Sequence, residues 1–436
     1  MIDPLVIGLI LIVGLVVLLA IGAPVSIAIG LPSTVCLMLV AGFDNGAITS
    51  AQQMLRGANS FALLAIPFFV LAGVIMNTGG IAERLVNLAR VLVGRAPASL
   101  MQSNVIANTI FGTVSGSAVA TAAAVGSTMT PMLRRSGYDP AMSAATNVSS
   151  APAGMLIPPS NTLIIYSLAA GGTSVGALFL AGYIPGALWA LSCAGVVYFY
   201  ARRHPELKGQ PFPGWGVFFT TVLQALPSLG LIVVVIGGIV AGFFTPTEGA
   251  VIAVVYALVL SFIYRTIKVR DLDSILYDAC RTSAIVIFLI AVSSIMGYIL
   301  TYARLPQLIA ESLFGWTDSK VVVLLIMMLV LLVIGIPLDP TPALLIFVPI
   351  FLPIAVSYGV DPVHFGIMMV FNLSIAVISP PSAPVLFVGT QVAKTRLEPV
   401  IRRMVPFLVV LIVMLFIVVF VPDVSLWLPR LAGLVD

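Results

Sequence analysis

Charge is what this sequence has least of. Asp, Glu, Lys and Arg make up 8% of its 436 residues, against 60% hydrophobic. A water-soluble chain carries roughly 25% charged residues, so about two-thirds of the charge needed for a wet surface is missing. That excludes a soluble enzyme, a nucleic-acid binder and a disordered scaffold. Cysteine is scarce as well. Cys36, Cys193 and Cys280 stand alone within apolar runs, which argues against a disulfide framework or a CxxC metal site. The start, Met1-Ile2-Asp3-Pro4, lacks a basic region ahead of its apolar run, so that run reads as a retained first helix rather than a cleaved signal.

What fills the chain instead is apolar length, with a mean hydropathy of +1.18. One helical crossing of a bilayer takes about 20 apolar residues, so this length allows roughly a dozen and little besides. The sequence predicts an all-α polytopic membrane protein. Apolar runs cover 5–21, 25–41, 60–78, 138–170, 175–201, 222–244, 247–264, 282–301, 361–390 and 404–421. Amphipathic pieces at 81–97 and 303–316 each lead into an apolar stretch interrupted by polar, Gly or Pro residues, 98–133 and 320–357. The one markedly polar linker, 202–216, falls near the middle.

An internal repeat is the strongest signal. Pro131, Gly137, Asp139, Pro140, Val148, Pro158, Pro159 and Ser160 recur as Pro353, Gly359, Asp361, Pro362, Val370, Pro380, Pro381 and Ser382, every pair 222 residues apart. The same offset carries Pro24 to Pro246. Arg134 and Arg135 precede the first GxDP, whereas uncharged ValSerTyr precedes the second. Placing the halves in opposite orientation puts 16 of the 20 basic residues on the cytoplasmic side and leaves only Arg56, Arg304, Lys320 and Arg430 outside. That split obeys the positive-inside rule and predicts an inverted repeat with both termini external. Inverted repeats are a mark of transporters.

Each half contains two interruptions. One is a stretch broken at its middle, 109–119 and 333–342, which reads as a re-entrant hairpin. Such backbone persists at membrane depth only where protein or a wet cavity covers it. The other is the helix after GxDP, broken at 149–160 and 374–384. Consecutive prolines remove backbone donors and free the carbonyls one turn earlier. Those oxygens, with nearby hydroxyls, suit a hard cation such as sodium, while the following helix start offers amides to an anion. Matched breaks of this kind point to the binding site. Asp139 and Asp361, each before a proline, fit helix caps. Glu248 fits a capping turn, and Asp339, at a hairpin tip, is a candidate to organise ion or substrate. Ser117, Asn161, Asp339, Thr341 and the half-helix amides are expected to line a substrate pocket between the two tips.

These residues carry a family resemblance. GlyAlaPro near residue 23, GlySerAlaValAla after the first tip, GlyTyrAspPro, IleProProSer, ThrProThrGlu, LeuAspPro and ProProSerAlaPro together resemble the large membrane subunit of a tripartite ATP-independent periplasmic (TRAP) transporter, the DctM or SiaM type, over essentially the whole chain. The resemblance implies an elevator-type secondary transporter driven by sodium. It implies a small four-helix membrane subunit as partner, here a separate chain, and a periplasmic substrate-binding protein. That protein would deliver a small organic acid, such as a C4-dicarboxylate, sialic acid or another sugar acid. Two sodium sites follow by position: Gly112, Ser115, Gly154, Ile157 and Pro158 for the first, and Gly335, Ala376, Ser379 and Ser382 for the second. The family often has glycine where this chain has Ala376, and a carbonyl ligand survives that change.

The implied organisation has scaffold helices over 1–80 and 217–302 and arm helices over 81–97 and 303–319. Transport-domain halves occupy 98–203 and 320–421, with a cytoplasmic linker at 204–216 and a periplasmic tail at 422–436. The expected location is a bacterial inner membrane. Proton coupling is the rival within transport, though few buried acids make a relay hard to build. An intramembrane protease is the rival outside it. Ser115-Gly116 has a superficial likeness to such a nucleophile, yet His204 and His364 are the only histidines, and no base stands ready for it.

Overall fold

The computed structural model describes residues 3–207, 209, 214–316, 319–336, 338–380 and 383–435. Among the described residues every regular element is helical. The chain opens with α1 (Pro4–Ala20), α2 (Val25–Ala41), α3 (Phe43–Ala58) and α4 (Ala65–Thr78). Next come α5 (Ile81–Val93) and a hairpin of α6 (Ser99–Ser115) and α7 (Ala118–Arg135). An interrupted helix follows in three pieces, α8 (Pro140–Ser150), the single turn α9 (Ala153–Leu156) and α10 (Asn161–Ala169), and α11 (Val175–Arg202) completes the half. The second half contains α12 (Trp215–Val240), α13 (Pro246–Ile263), α14 (Leu272–Tyr302) and α15 (Leu305–Trp316). Its hairpin is α16 (Lys320–Gly335) and α17 (Pro340–Ser357), and its interrupted helix is α18 (Pro362–Ala376) and α19 (Pro384–Ala393). The chain closes with α20 (Leu397–Phe420) and α21 (Asp423–Leu431).

Among the described residues six helices are long and apolar enough to cross a bilayer: α11, α12, α13, a span running from Val269 through α14, α17 and α20. They are only partly buried within the protein, and their outer faces carry exposed Val, Leu, Ile and Phe as a lipid solvent requires. The protein is a multi-pass membrane protein.

The repeat is visible in three dimensions. Ala118, Pro140 and Val175 open α7, α8 and α11; Pro340, Pro362 and Leu397, each 222 residues on, open α17, α18 and α20. Contacts are exchanged between the halves: α7 packs on α19 as α17 packs on α10, and α8 packs on α20 as α18 packs on α11. That exchange is what a two-fold relation demands. The helix ends show its direction. Arg134, at the end of α7, donates to the carbonyls of Ala393 and Lys394 (2.5 and 3.1 Å), at the far end of the second interrupted helix. Tyr166, near the end of α10, donates to the Pro362 carbonyl (2.6 Å) at the start of that helix. Where one interrupted helix begins, the other ends. The repeat is inverted.

Local chemistry explains the boundaries. Asp139 and Asp361 cap α8 and α18, accepting from Ala141 and from Val363 and His364, with proline at the first helical position. Thr245 and Glu248 form a reciprocal capping box that starts α13. Three elements differ from expectation. Residues 43–58 lay outside the apolar runs but form α3, because it needs no apolar stripe: Gly46 approaches the backbone of α2, and Gly57 approaches Ala291 and Ser294 of α14. The run 282–301 is the apolar part of a longer α14, whose first turns expose Asp273, Asp278 and Arg281 while Ile275 and Ala279 stay buried. Residues 422–436 are not a simple tail. They contain α21, which packs on α11 and places Ser425 against buried His364 (2.6 Å).

Candidate functional site

The first hairpin turns on Gly116 and Ser117. Gly116 adopts φ 61, the left-handed region that glycine enters without strain. Ser117 then caps α7, its hydroxyl accepting from Ala120 N–H (3.3 Å). Ser115 lies beside this turn, its Oγ 2.7 Å from Thr121 Oγ1 and 3.2 Å from the Ser117 carbonyl. Behind the tip, Gly112 meets Gly154 of α9 backbone to backbone; a Cβ added at Gly154 would overlap the Gly112 main chain. Gly112, Ser115 and Gly154, three of the five residues implied for the first ion site, thus lie around one seam. Ile157 ends α9 with extended backbone and Pro158 follows it, joined to Pro159 by a cis bond.

The broken segment is held from behind by α11. Trp189 Nε1 donates to the Ser149 carbonyl (2.9 Å), an oxygen at the edge of the break, and Gly182 and Gly186 let α11 lie close against Leu156 and Ile157. Ser160 restarts the helix as the cap of α10, accepting from Leu163 N–H while donating to the Met155 carbonyl. The freed backbone groups are therefore presented by a rigid frame, not left to a loose loop.

The second half repeats the plan with different parts. Gly335, at the end of α16, rests against the Ala376 methyl at the end of α18. Ser379 lies just past that end, donating to the Ile375 carbonyl (2.7 Å). Ser382 lies outside the described residues. Asp339 precedes Pro340 at the start of α17, as Asp3, Asp139 and Asp361 precede Pro4, Pro140 and Pro362. Those three carboxylates accept first-turn amides; Asp339 makes no side-chain capping bond and is exposed. Its charge is left for something else.

A cavity of about 630 Å³ lies in front of the two tips. Ser117, Asn161, Asp339 and Thr341 all line it, brought from two hairpins and one broken helix. The starts of α7, α10 and α17 reach it together, and a helix start carries unpaired N–H groups and a partial positive charge. The opposite wall comes from Val25 and Ser26 of α2, Ile66 and Val70 of α4, and Thr282 to Leu289 of α14. Among the described lining residues Asp339 is the only ionisable side chain. The arrangement is a mostly apolar chamber with hydroxyls, amides and one carboxylate gathered on one side. Reasoning from sequence missed Ser26, Thr162 and Thr282. Thr162 follows Asn161 directly, whereas Ser26 and Thr282 lie in ordinary helical sequence and reach the cavity only through the packing of distant elements.

Comparison with known proteins places this geometry. The model of the family described as the tripartite ATP-independent periplasmic transporter, DctM component, matches residues 12–424. The chain belongs to the DctM family. It is 52% identical over 381 residues to the protein YgiK of Salmonella typhimurium, covering 87% of each chain. It is 37% identical over 417 residues to the C4-dicarboxylate TRAP transporter large permease protein DctM of Vibrio cholerae, covering 91% of this chain and 92% of that one. The sialic acid TRAP transporter large permease protein SiaM of the same organism is 36% identical over 394 residues, covering 90% and 92%. Among solved structures, the YdaH transporter of Alcanivorax borkumensis shares the fold with a TM-score of 0.65 at 15% identity, over 91% of this chain and 90% of that one. DctM-family membership makes this chain a large permease component, a transport protein of the membrane.

Proposed function

We propose that this permease couples inward movement of sodium to uptake of a small organic acid, and that it works with a separate four-helix membrane subunit and a periplasmic substrate-binding protein. The observation that carries the reading is the shared cavity. Residues from both hairpin tips and the first broken helix converge on one chamber between the hairpin-bearing elements and the wall of α2, α4 and α14. Three helix starts supply positive potential for a carboxylate there, without any lining lysine or arginine among the described residues. Relatives of similar identity are named for a C4-dicarboxylate and for sialic acid, and the substrate class is accordingly a small carboxylate.

Sodium ions would bind first, one between the first tip and the Gly154–Pro158 backbone, the other between Gly335 and the Ala376–Ser382 segment. Each would draw its broken helix against its hairpin and set the amides that face the cavity. The elements of 98–203 and 320–421 would then slide as one body against the scaffold of 1–80 and 217–302, with α5 and α15 as arms. The 16-to-4 charge split supports an orientation with both termini in the periplasm of a bacterial inner membrane.

Uptake into proteoliposomes tests this. The permease, its small subunit and the binding protein are reconstituted, and accumulation of C4-dicarboxylates, sialic acid and other sugar acids is followed under an inward sodium gradient. Accumulation that collapses when potassium replaces sodium supports the reading. Accumulation driven equally well by a proton gradient without sodium rejects it, and then Asp339, the lone cavity carboxylate, is the group to carry the proton.

A further inference from the structure

We propose that Asn104, Asn108, Asn147 and Ser150 form an additional sodium site, about two to three helical turns behind the first hairpin tip along the seam between α6 and α8. This inference rests on the sodium-coupled reading above. Asn108 and Asn104 stand four and eight residues before Gly112 on α6, and Asn147 and Ser150 precede Gly154 on the other side of the seam. All four side chains are buried, Asn108 and Ser150 completely.

The cluster has more lone pairs than protons. Asn108 Nδ2, with two hydrogens, faces four oxygens: Ser150 Oγ at 2.7 Å, Asn104 Oδ1 at 3.0 Å, and the carbonyl and Oδ1 of Asn147 at 3.0 and 3.1 Å. The neighbouring donors cannot relieve the surplus, because they point elsewhere. Ser150 gives its proton to the Thr146 carbonyl (2.7 Å), and Asn147 Nδ2 donates to the Ala122 carbonyl (2.8 Å). Asn104 Nδ2 reaches only Asn147 Oδ1, at 3.3 Å. Meanwhile Asn108 Oδ1 is buried with no hydrogen-bond partner among the described residues. Reversing the Asn108 amide makes matters worse, since it places a fifth oxygen at the centre.

The Asn147 carbonyl also accepts the helical Ala151 N–H, so the one unpaired atom of the cluster is Asn108 Oδ1. A set of asparagines serving only to clamp two helices would leave none, because a buried unpaired polar atom costs about 1–3 kcal/mol. A cation satisfies the surplus directly. Oxygen ligands select a hard ion. No carboxylate belongs to the cluster, so little is present to offset the desolvation of a divalent ion, and a monovalent one fits. Gly126 lets α7 pack closely against the cluster: a Cβ there would stand 2.6 Å from Asn147 Nδ2. Among the described residues the second half has no such cluster: its buried Asn372 donates to the Met328 carbonyl (2.8 Å), and its Oδ1, like that of Asn108, has no partner, but no neighbouring asparagine or serine oxygens converge on it.

The test is equilibrium binding of radioactive sodium to the purified full chain, followed in the wild type and in Asn108→Ala and Ser150→Ala. Asn108→Ala is expected to bind one sodium fewer per chain. Ser150→Ala, a small change that spares the packing, is expected to keep the stoichiometry but weaken one site about tenfold, the usual scale for losing one contact at a metal site. Ser115→Leu should remove the hairpin-tip ion and leave this one. Wild-type stoichiometry and affinity in both Asn108→Ala and Ser150→Ala would overturn the proposal while leaving sodium coupling standing. No sodium bound by the wild type would overturn both.

Discussion

The two halves of this permease share a backbone plan and differ in how they close it. In the first, Gly112 and Gly154 let α6 and α9 touch main chain to main chain, and Ser160 caps the restart of the helix. In the second, a methyl group, that of Ala376, separates α16 from α18, and α19 begins at Pro384 without a side-chain cap. The first half gathers hydroxyls and amides near its break. The second contributes the one ionisable side chain among the described cavity-lining residues, Asp339. Duplication preserved the positions of the interruptions, while the chemistry around them diverged. The breaks are the feature both halves need; the surrounding side chains are where the halves can specialise.

Substitutions can break that comparison. Ser115→Leu puts bulk where Oγ now meets Thr121 and the Ser117 carbonyl. Uptake in proteoliposomes should fall to background while membrane insertion, read by protease protection, is unchanged. Gly154→Ala drives a Cβ into the Gly112 backbone. Overpacking of this kind costs about 1–3 kcal/mol, so the thermal midpoint should drop and uptake should fail. The matching change in the other half, Ala376→Gly, removes a methyl without a clash. It should cost only about 0.5–1 kcal/mol through helix propensity and leave uptake near wild type. Equal damage from the two would contradict the asymmetry.

Asp339→Asn keeps the shape of the second tip and removes its charge. Uptake should fall about tenfold, the scale of one lost interaction with a charged group, with the thermal midpoint in the absence of ligands little changed. Thr245→Ala removes one side of the capping box at α13 and should lower stability by about 1 kcal/mol with transport retained. The 222-residue offset pairs Thr245 with Ala23, and α2 begins without a side-chain cap to lose.

Much of this was legible in the sequence, because the constraints were local. Proline pairs, GxDP strings and Gly-rich tips act on their own backbone, so their spacing disclosed the hairpins, the breaks and the 222-residue repeat. Asp139 and Asp361 read correctly as caps for the same reason. What stayed hidden depends on neighbours remote in sequence. Helix α3 packs through Gly46, Ser50 and Gly57, which carry no apolar signal. Helix α21 is held by contacts with α11 and α18. Thr282 reaches the cavity only because α14 faces the tip of another repeat. The free state of the Asp339 carboxylate was equally invisible, since four Asp-Pro steps look alike until their hydrogen bonds are compared.

The most direct measurement is the thermal stability of the purified permease in sodium against matched potassium and choline. A site filled at 100 times its dissociation constant stabilises the fold by roughly 2.7 kcal/mol, well within reach of a midpoint scan. The account predicts a sodium-specific rise that shrinks in Ser115→Leu and in Ser379→Leu. The same midpoint in all three cations, or a rise that both variants retain in full, would contradict it.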